Sequence, residues 1–137
     1  MARVASWVGM EARVAAPTAF DGVPITLYPA PSDGADRAVL VALDASGREV
    51  SRTDIPLDGA PIDWAGTDAY GAPLPYGRYS FRVESYTSGA LADVATVETF
   101  GRITEVRNGD SGAVLVLESG AEVSVAEVRA VRSGSSG

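Results

Sequence analysis

Asp63 and Asp68 flank the tripeptide Trp64-Ala65-Gly66, and Asp21 and Asp58 are further carboxylates that folding could bring beside them. These residues come first because the 137-residue chain holds no histidine and no cysteine. Thiol nucleophiles, Ser-His-Asp triads and Cys/His zinc sites are therefore excluded. Only carboxylate chemistry remains. A working acid–base pair needs one carboxyl kept protonated by an apolar pocket and one kept ionised by solvent. Asp63 and Asp68 instead adjoin glycine-rich turns, where aspartate commonly accepts hydrogen bonds from its own backbone. With loop carbonyls they offer oxygens to a calcium ion, but their spacing follows no EF-hand pattern. The expectation is a chain that is not an enzyme, with no catalytic residue, metal or cofactor.

Other chemistries meet similar limits. The stretch Gly66 to Gly77 is rich in glycine, yet it carries no lysine and precedes no helix, so it is not a phosphate-binding loop. Tyr28, Tyr70, Tyr76 and Tyr86 either form an aromatic binding face or pack against loops, the second being the plainer reading. Formal net charge is −7, and the 11 cationic residues are all scattered arginines. No basic track for nucleic acid results. The longest apolar run, Ala38 to Leu43, falls far short of a membrane span. Met1-Ala2-Arg3 opens no apolar secretory segment. Neither nucleic acid, nor membrane, nor a small-molecule substrate is expected as a partner. A binding or structural module is left.

The elements that position these residues are read from alternation and turn chemistry. A hydrophobic fraction of 46% with 15 glycines fits a folded, turn-rich chain rather than a disordered one. From Gly77 the chain alternates strictly: Tyr79, Phe81, Val83 and Ser85 fall on one face, and Ser80, Arg82, Glu84 and Tyr86 on the other. That period of two marks a half-buried strand. Leu74-Pro75-Tyr76-Gly77 reads as a tight turn, with Pro75 fixing φ and Gly77 free to take a positive φ. Trp64 and Tyr79 are expected to face each other in the core from neighbouring strands.

Further short strands are expected at Met10–Ala15, Ile25–Tyr28, 36–44, Arg48–Ile55 and Asp93–Phe100. Asp44-Ala45-Ser46-Gly47 and Ser88-Gly89-Ala90 form hairpin turns. Residues 21–97 thus hold about seven strands at near-regular spacing, the pattern of an immunoglobulin-like or fibronectin type III sandwich. From Thr99 the segments 102–107, 113–118 and 121–125 form a three-stranded meander too small to bury a core alone. The strand near residues 10–15 is its available partner. The fold expected is all-β: a sandwich, 21–97, inserted into a discontinuous small β-barrel made of 1–20 and 98–132, with 133–137 as a flexible tail. No helix longer than about two turns is expected.

Trp64, Gly66, Gly71, Leu74, Pro75, Gly77 and Tyr79 stand in the register Trp-x-Gly-x-x-x-x-Gly-x-x-Leu-Pro-x-Gly-x-Tyr. In this the stretch resembles the signature of the flagellar hook-assembly (hook-capping) family, FlgD. Ala5-Ser6-Trp7-Val8-Gly9-Met10 is similar to that family's Ala-x-x-(Ile/Leu/Val)-Gly-Lys segment, with Met10 in place of lysine. Gly101 to Val106 and Val123 to Val128 resemble its closing meander. The likeness covers nearly the whole chain but not the family's N-terminal region.

The resemblance implies a tudor-like barrel split by a fibronectin type III domain. It also implies a scaffold exported by the flagellar type III apparatus without a cleaved signal peptide. That scaffold would sit as a self-associated cap on the tip of the growing rod and hook and promote polymerisation of hook subunits. No catalytic residue is carried over. Subunit contacts are expected on exposed loops, foremost the loop of Asp68, Tyr70 and Tyr76, although that loop is equally read as a rigid turn that only joins strands. The alternative function is an immunoglobulin-like adhesion, sorting or carbohydrate-binding module of a larger secreted protein.

Overall fold

The computed structural model describes residues 4–110 and 112–133, with the backbone alone at Val4 and Ala5. Most of the expected tail thus lies outside the described residues. The described chain forms twelve strands: β1 (Glu11–Val14), β2 (Thr18–Phe20), β3 (Ile25–Tyr28), β4 (Arg37–Leu43), β5 (Glu49–Ile55), β6 (Ile62–Trp64), β7 (Gly77–Thr87), β8 (Ala90–Thr96), β9 (Glu98–Gly109), β10 (Gly112–Leu117), β11 (Glu122–Ser124) and β12 (Ala130–Arg132). Two single 3-10 turns, Val4–Trp7 and Val125–Glu127, are the only helical segments described. β2 and β12 are strands that the sequence reading does not contain. Both have three residues, too few for an alternating pattern to declare itself.

One sheet runs β2-β7-β4-β5, with β8 also paired to β7. β2 pairs with the first residues of β7, Phe20 opposite Gly77, whereas β8 pairs further along, Val83 opposite Ala95. β3 and β6 pair with each other, and β3 joins the start of β9 through Leu27 opposite Thr99. The two layers enclose one core. Phe20, Leu27, Leu40, Trp64, Tyr79, Phe81, Val83 and Val97 are among its buried members. Tyr79, Phe81, Val83 and Ser85 do share the buried face of β7. Trp64 and Tyr79 face one another with ring centroids 5.2 Å apart. They do so from opposing sheets, not neighbouring strands, because β6 pairs only with β3.

A second core gathers Ala12, Val14, Ile103, Leu115, Leu117 and Val123, with Trp7, Val106, Val125 and Val128 packed against it. Its sheet has the order β11-β10-β9-β1-β12. The closed barrel is corrected here: β11 and β12 stand at opposite edges and do not pair. The reason is local. Ser124 caps the turn Val125–Glu127 in a reciprocal capping box with Glu127, and the Val128 N–H bonds back to Val125 O. The chain then passes to the far side, where β12 pairs with β1. Trp7 and its neighbours are tied in by Gly9 N–H to Ile103 O and Ile103 N–H to Met10 O, both 2.8 Å.

β9 belongs to both layers of packing. Its first residues pair with β3 and β1, and its later ones with β10. Around this crossing Arg13 lies over the Tyr28 ring at 4.3 Å, Tyr28 meets Phe100 edge-on at 5.6 Å, and Arg132 lies over Phe100 at 3.8 Å. Glu98 accepts from Arg13 at 2.8 Å and pairs with Arg129 at 3.4 Å.

The outer face of the β7 sheet is also covered, although no second sheet lies on it. Val39 and Val41 on β4 are buried, flanked across the sheet by Glu84, Arg82, Asp54 and Arg52. Glu84 is buried too, and it accepts hydrogen bonds from the Tyr86 hydroxyl at 2.8 Å and from Arg52 at 2.5 Å. These partners, Tyr86 first, hold its carboxyl below the usual range against the opposing effect of burial. A carboxylate with a depressed native pKa stabilises the fold fully above its unfolded pKa, about 4.3. That contribution is lost as pH falls through the native value.

Two outcomes are expected. Trp64→Ala lowers the stability of the sandwich by about 3–5 kcal/mol in denaturant unfolding, as large core truncations do. Glu84→Gln costs about 1–3 kcal/mol at pH 7, because a neutral amide replaces the carboxylate to which Arg52 and Tyr86 donate. The difference from the parent narrows in the same assay as the pH falls below about 4.3 and on through the lowered native value, where the parent's carboxylate takes up its proton.

Candidate functional site

The signature residues build one loop between β6 and β7. Gly66 O accepts from Leu74 N–H at 2.8 Å, and an isolated bridge pairs Thr67 with Pro73. Inside this frame Asp68 N–H bonds to Ala72 O at 2.9 Å, and Gly71 N–H bonds to Asp68 O at 3.0 Å. The Asp68 carboxylate accepts from the N–H of Tyr70 at 2.8 Å and of Ala72 at 3.0 Å. The loop therefore pairs many of its backbone groups within itself. Tyr70 projects from its tip, 95% exposed.

Several residues of the pattern have a packing reason. Gly66 lies at φ 77, and a Cβ there would stand 2.0 Å from Phe20 Cζ, so the ring of Phe20 occupies the space a side chain would need. Leu74 packs against the first core from the loop side. Tyr79 donates its hydroxyl to Pro75 O at 2.7 Å. A tyrosine at the start of a strand that bonds back to the preceding corner is a recurrent device of immunoglobulin-like sandwiches. Burial, with Asp44 second, raises the Tyr79 pKa, so the phenol keeps the proton that it donates. Asp44 is itself held low, chiefly by the Ser46 side chain, in its own hairpin turn.

One expectation about this loop is corrected. Gly77 does take a positive φ, 159, but it opens β7 rather than closing a hydrogen-bonded turn; the hydrogen-bonded turn is Asp68 to Gly71.

The candidate carboxylates serve structure and do not converge. Asp63 accepts from Thr26 Oγ1 at 2.8 Å across the β3–β6 pair. Asp58 accepts from Ala60 N–H at 3.0 Å, and Asp21 from Val23 N–H at 3.3 Å, each capping its own turn. Among the described residues no three carboxylates come together where they could hold a metal ion. The four tyrosines also separate. Tyr28 is packed at the β9 crossing and Tyr86 is bonded to Glu84 on the outer sheet face. Tyr76 is 74% exposed but meets the edge of Phe20 at 6.1 Å. Of the four, Tyr70 alone has neither a ring contact nor a side-chain hydrogen bond among the described contacts. The sequence carried no sign that Phe20 would cover Gly66. A glycine two residues after a core tryptophan was the available hint.

Fold and loop together define an immunoglobulin-like sandwich whose signature residues build one hydrogen-bonded loop beside the first core. A family model described as the FlgD Ig-like domain matches residues 15–89, more than half of the chain. The chain belongs to that family. Among solved structures, FlgD from Xanthomonas campestris, described as giving insights into the hook capping essential for flagellar assembly, is similar at a TM-score of 0.74 with 23% identity. That match covers 93% of this chain and 96% of that one. FlgD from P. aeruginosa is similar at a TM-score of 0.74 with 19% identity, over 91% and 97% of the two chains. No curated protein matches the chain.

Gly66 and Gly71 separate packing from backbone freedom. Both have positive φ, 77 and 82, but a Cβ at Gly71 would meet nothing within 4 Å. Gly66→Ala should cost about 2–4 kcal/mol, overlap adding to left-handed strain. Gly71→Ala should cost about 1–2 kcal/mol, the strain alone. Urea unfolding of the two variants checks the order.

Proposed function

We propose that this chain is a non-enzymatic scaffold that caps the growing flagellar hook and promotes the addition of hook subunits. The observation that carries the reading is membership of the FlgD family. The hook-capping protein of Xanthomonas campestris shares the fold along almost the whole of both chains, which supports it further. In this reading the chain leaves the cell through the flagellar type III apparatus, works at the tip of the rod and hook, and associates with further copies of itself. No described helix is long and apolar enough to cross a membrane. The polar side chains at the candidate site are engaged in caps and turns, which agrees with a scaffold.

The layout proposed is a fibronectin type III-like unit, 21–97, carried by a second unit of 1–20 and 98–132. The strand Thr18–Phe20, at the boundary, pairs with β7 of the first unit. Subunit contact is assigned to the loop of Asp68, Tyr70 and Tyr76. A rigid loop tip that presents one tyrosine suits such a contact, since tyrosine offers large amphipathic area at little cost in ordering.

The test is complementation. A strain lacking its hook-cap gene receives the full-length gene, and hooks are scored by electron microscopy. Restored hooks support the reading; absent hooks, with export and folding verified, overturn it. Within that assay Tyr70→Ala should sharply reduce hook number, with thermal stability changed by less than about 0.5 kcal/mol as for an exposed site. Wild-type hook numbers with Tyr70→Ala would remove the loop from the contact surface.

A further inference from the structure

β8 is an edge strand with little of the protection that edges usually carry. It pairs with β7 on one side, and no described strand pairs with the other. Such an edge presents a row of free N–H and C=O groups, which natural proteins blunt with lysine, proline, bulges or a covering element. β8 reads Ala90-Leu91-Ala92-Asp93-Val94-Ala95-Thr96, without lysine or proline. Leu91 and Val94 are 54% and 50% exposed. They stand opposite Tyr86 and Glu84, on the outer face of the sheet. One register shift, between Ser85 and Tyr86, interrupts the pair near Ala92. From Asp93 to Thr96 the register with Ser85 to Arg82 is continuous.

We infer that the free edge of β8 is a second binding surface, which takes an extended segment of another protein as an added antiparallel strand. Backbone hydrogen bonds supply the attachment, and alternate side chains supply the choice of partner. Leu91 and Val94 select small or β-branched residues on the outer face. Asp93, the one charge in β8, selects a basic residue beside it. The same charge argues against a second copy of this chain. Antiparallel self-pairing centred on Asp93 sets the two carboxylates opposite each other, and like charges in that position destabilise a sheet. Each copy also carries a net charge of −7. This inference is independent of the hook-capping reading and of the Tyr70 loop.

The test uses the full chain, isotope-labelled, and a capped synthetic peptide Thr-Val-Thr-Lys-Val-Thr-Val as the probe. The expected result is amide shift changes along Ala90–Thr96 that saturate near about 1 mM, at the weak end of specific recognition. Slower amide exchange in β8 should accompany them. The peptide with Glu in place of Lys should bind at least about tenfold more weakly. The exposed double variant Leu91→Lys, Val94→Lys should stay folded and lose the response. No shifts in β8, shifts confined to other surfaces, or equal binding of the two peptides would each overturn the proposal. A dimer in sedimentation equilibrium that Val94→Lys abolishes would overturn it in favour of a second copy.

Discussion

Phe20, Trp64, Tyr79 and Phe81 bring four aromatic rings from three strands together beside Gly66. Trp64 lies 5.3 Å from Phe20, 5.2 Å from Tyr79 and 4.9 Å from Phe81 by ring centroids. This cluster joins the two layers of the sandwich where their strands make no hydrogen bonds to each other. Edge-on aromatic contacts add to the large area that such rings bury. The loop depends on it in turn. Gly66 is where the chain must pass under Phe20, and the Tyr79 hydroxyl fixes the Pro75 carbonyl above the same cluster. Loop shape and core packing are therefore one constraint.

β9 extends that constraint to the second core. Twelve residues long, it is about 40 Å of continuous strand at the usual rise per residue. Its start closes one side of the sandwich and its end carries β10. The stack of Arg13, Tyr28, Phe100 and Arg132 lies across the join, and Thr18 and Thr99 share a hydrogen bond at 2.6 Å beside it. The open second sheet is covered on its core side by neighbouring segments. Trp7, Val125 and Val128 pack onto it from the segments that flank β1 and β12.

Charge is spent largely on this architecture. Glu84, Glu98 and Glu11 each meet at least one arginine, and Arg107 pairs with Glu122 at the β9–β11 side of the second sheet. Aspartates at positions 21, 44, 58 and 68 hold turns in place through their own backbone. A chain that uses its carboxylates this way commits much of its charge to holding its own fold. Packing also leaves apolar side chains uncovered, Tyr70 at the loop tip and Leu91 and Val94 on β8 among them.

The sequence by itself determined the class of the fold, the buried face of β7, the turn at Asp44 to Gly47 and the family signature. Each of these rests on contacts within a few residues: alternation, a turn residue or a capping carboxylate. The exclusion of thiol, imidazole and zinc chemistry followed from composition alone. Tertiary structure decided the rest. Trp64 and Tyr79 meet from opposing sheets, because strand pairing is a long-range choice that local pattern does not encode. The sheet around the second core stays open, because a capping box at Ser124 and Glu127 turns the chain before β12 can reach β11. Gly66 is needed for the ring of Phe20, which lies 46 residues earlier in the chain. Glu84 reads as a solvent-facing residue in the alternation. It is buried because Arg52 and Tyr86 reach over it from positions 32 residues before and two residues after.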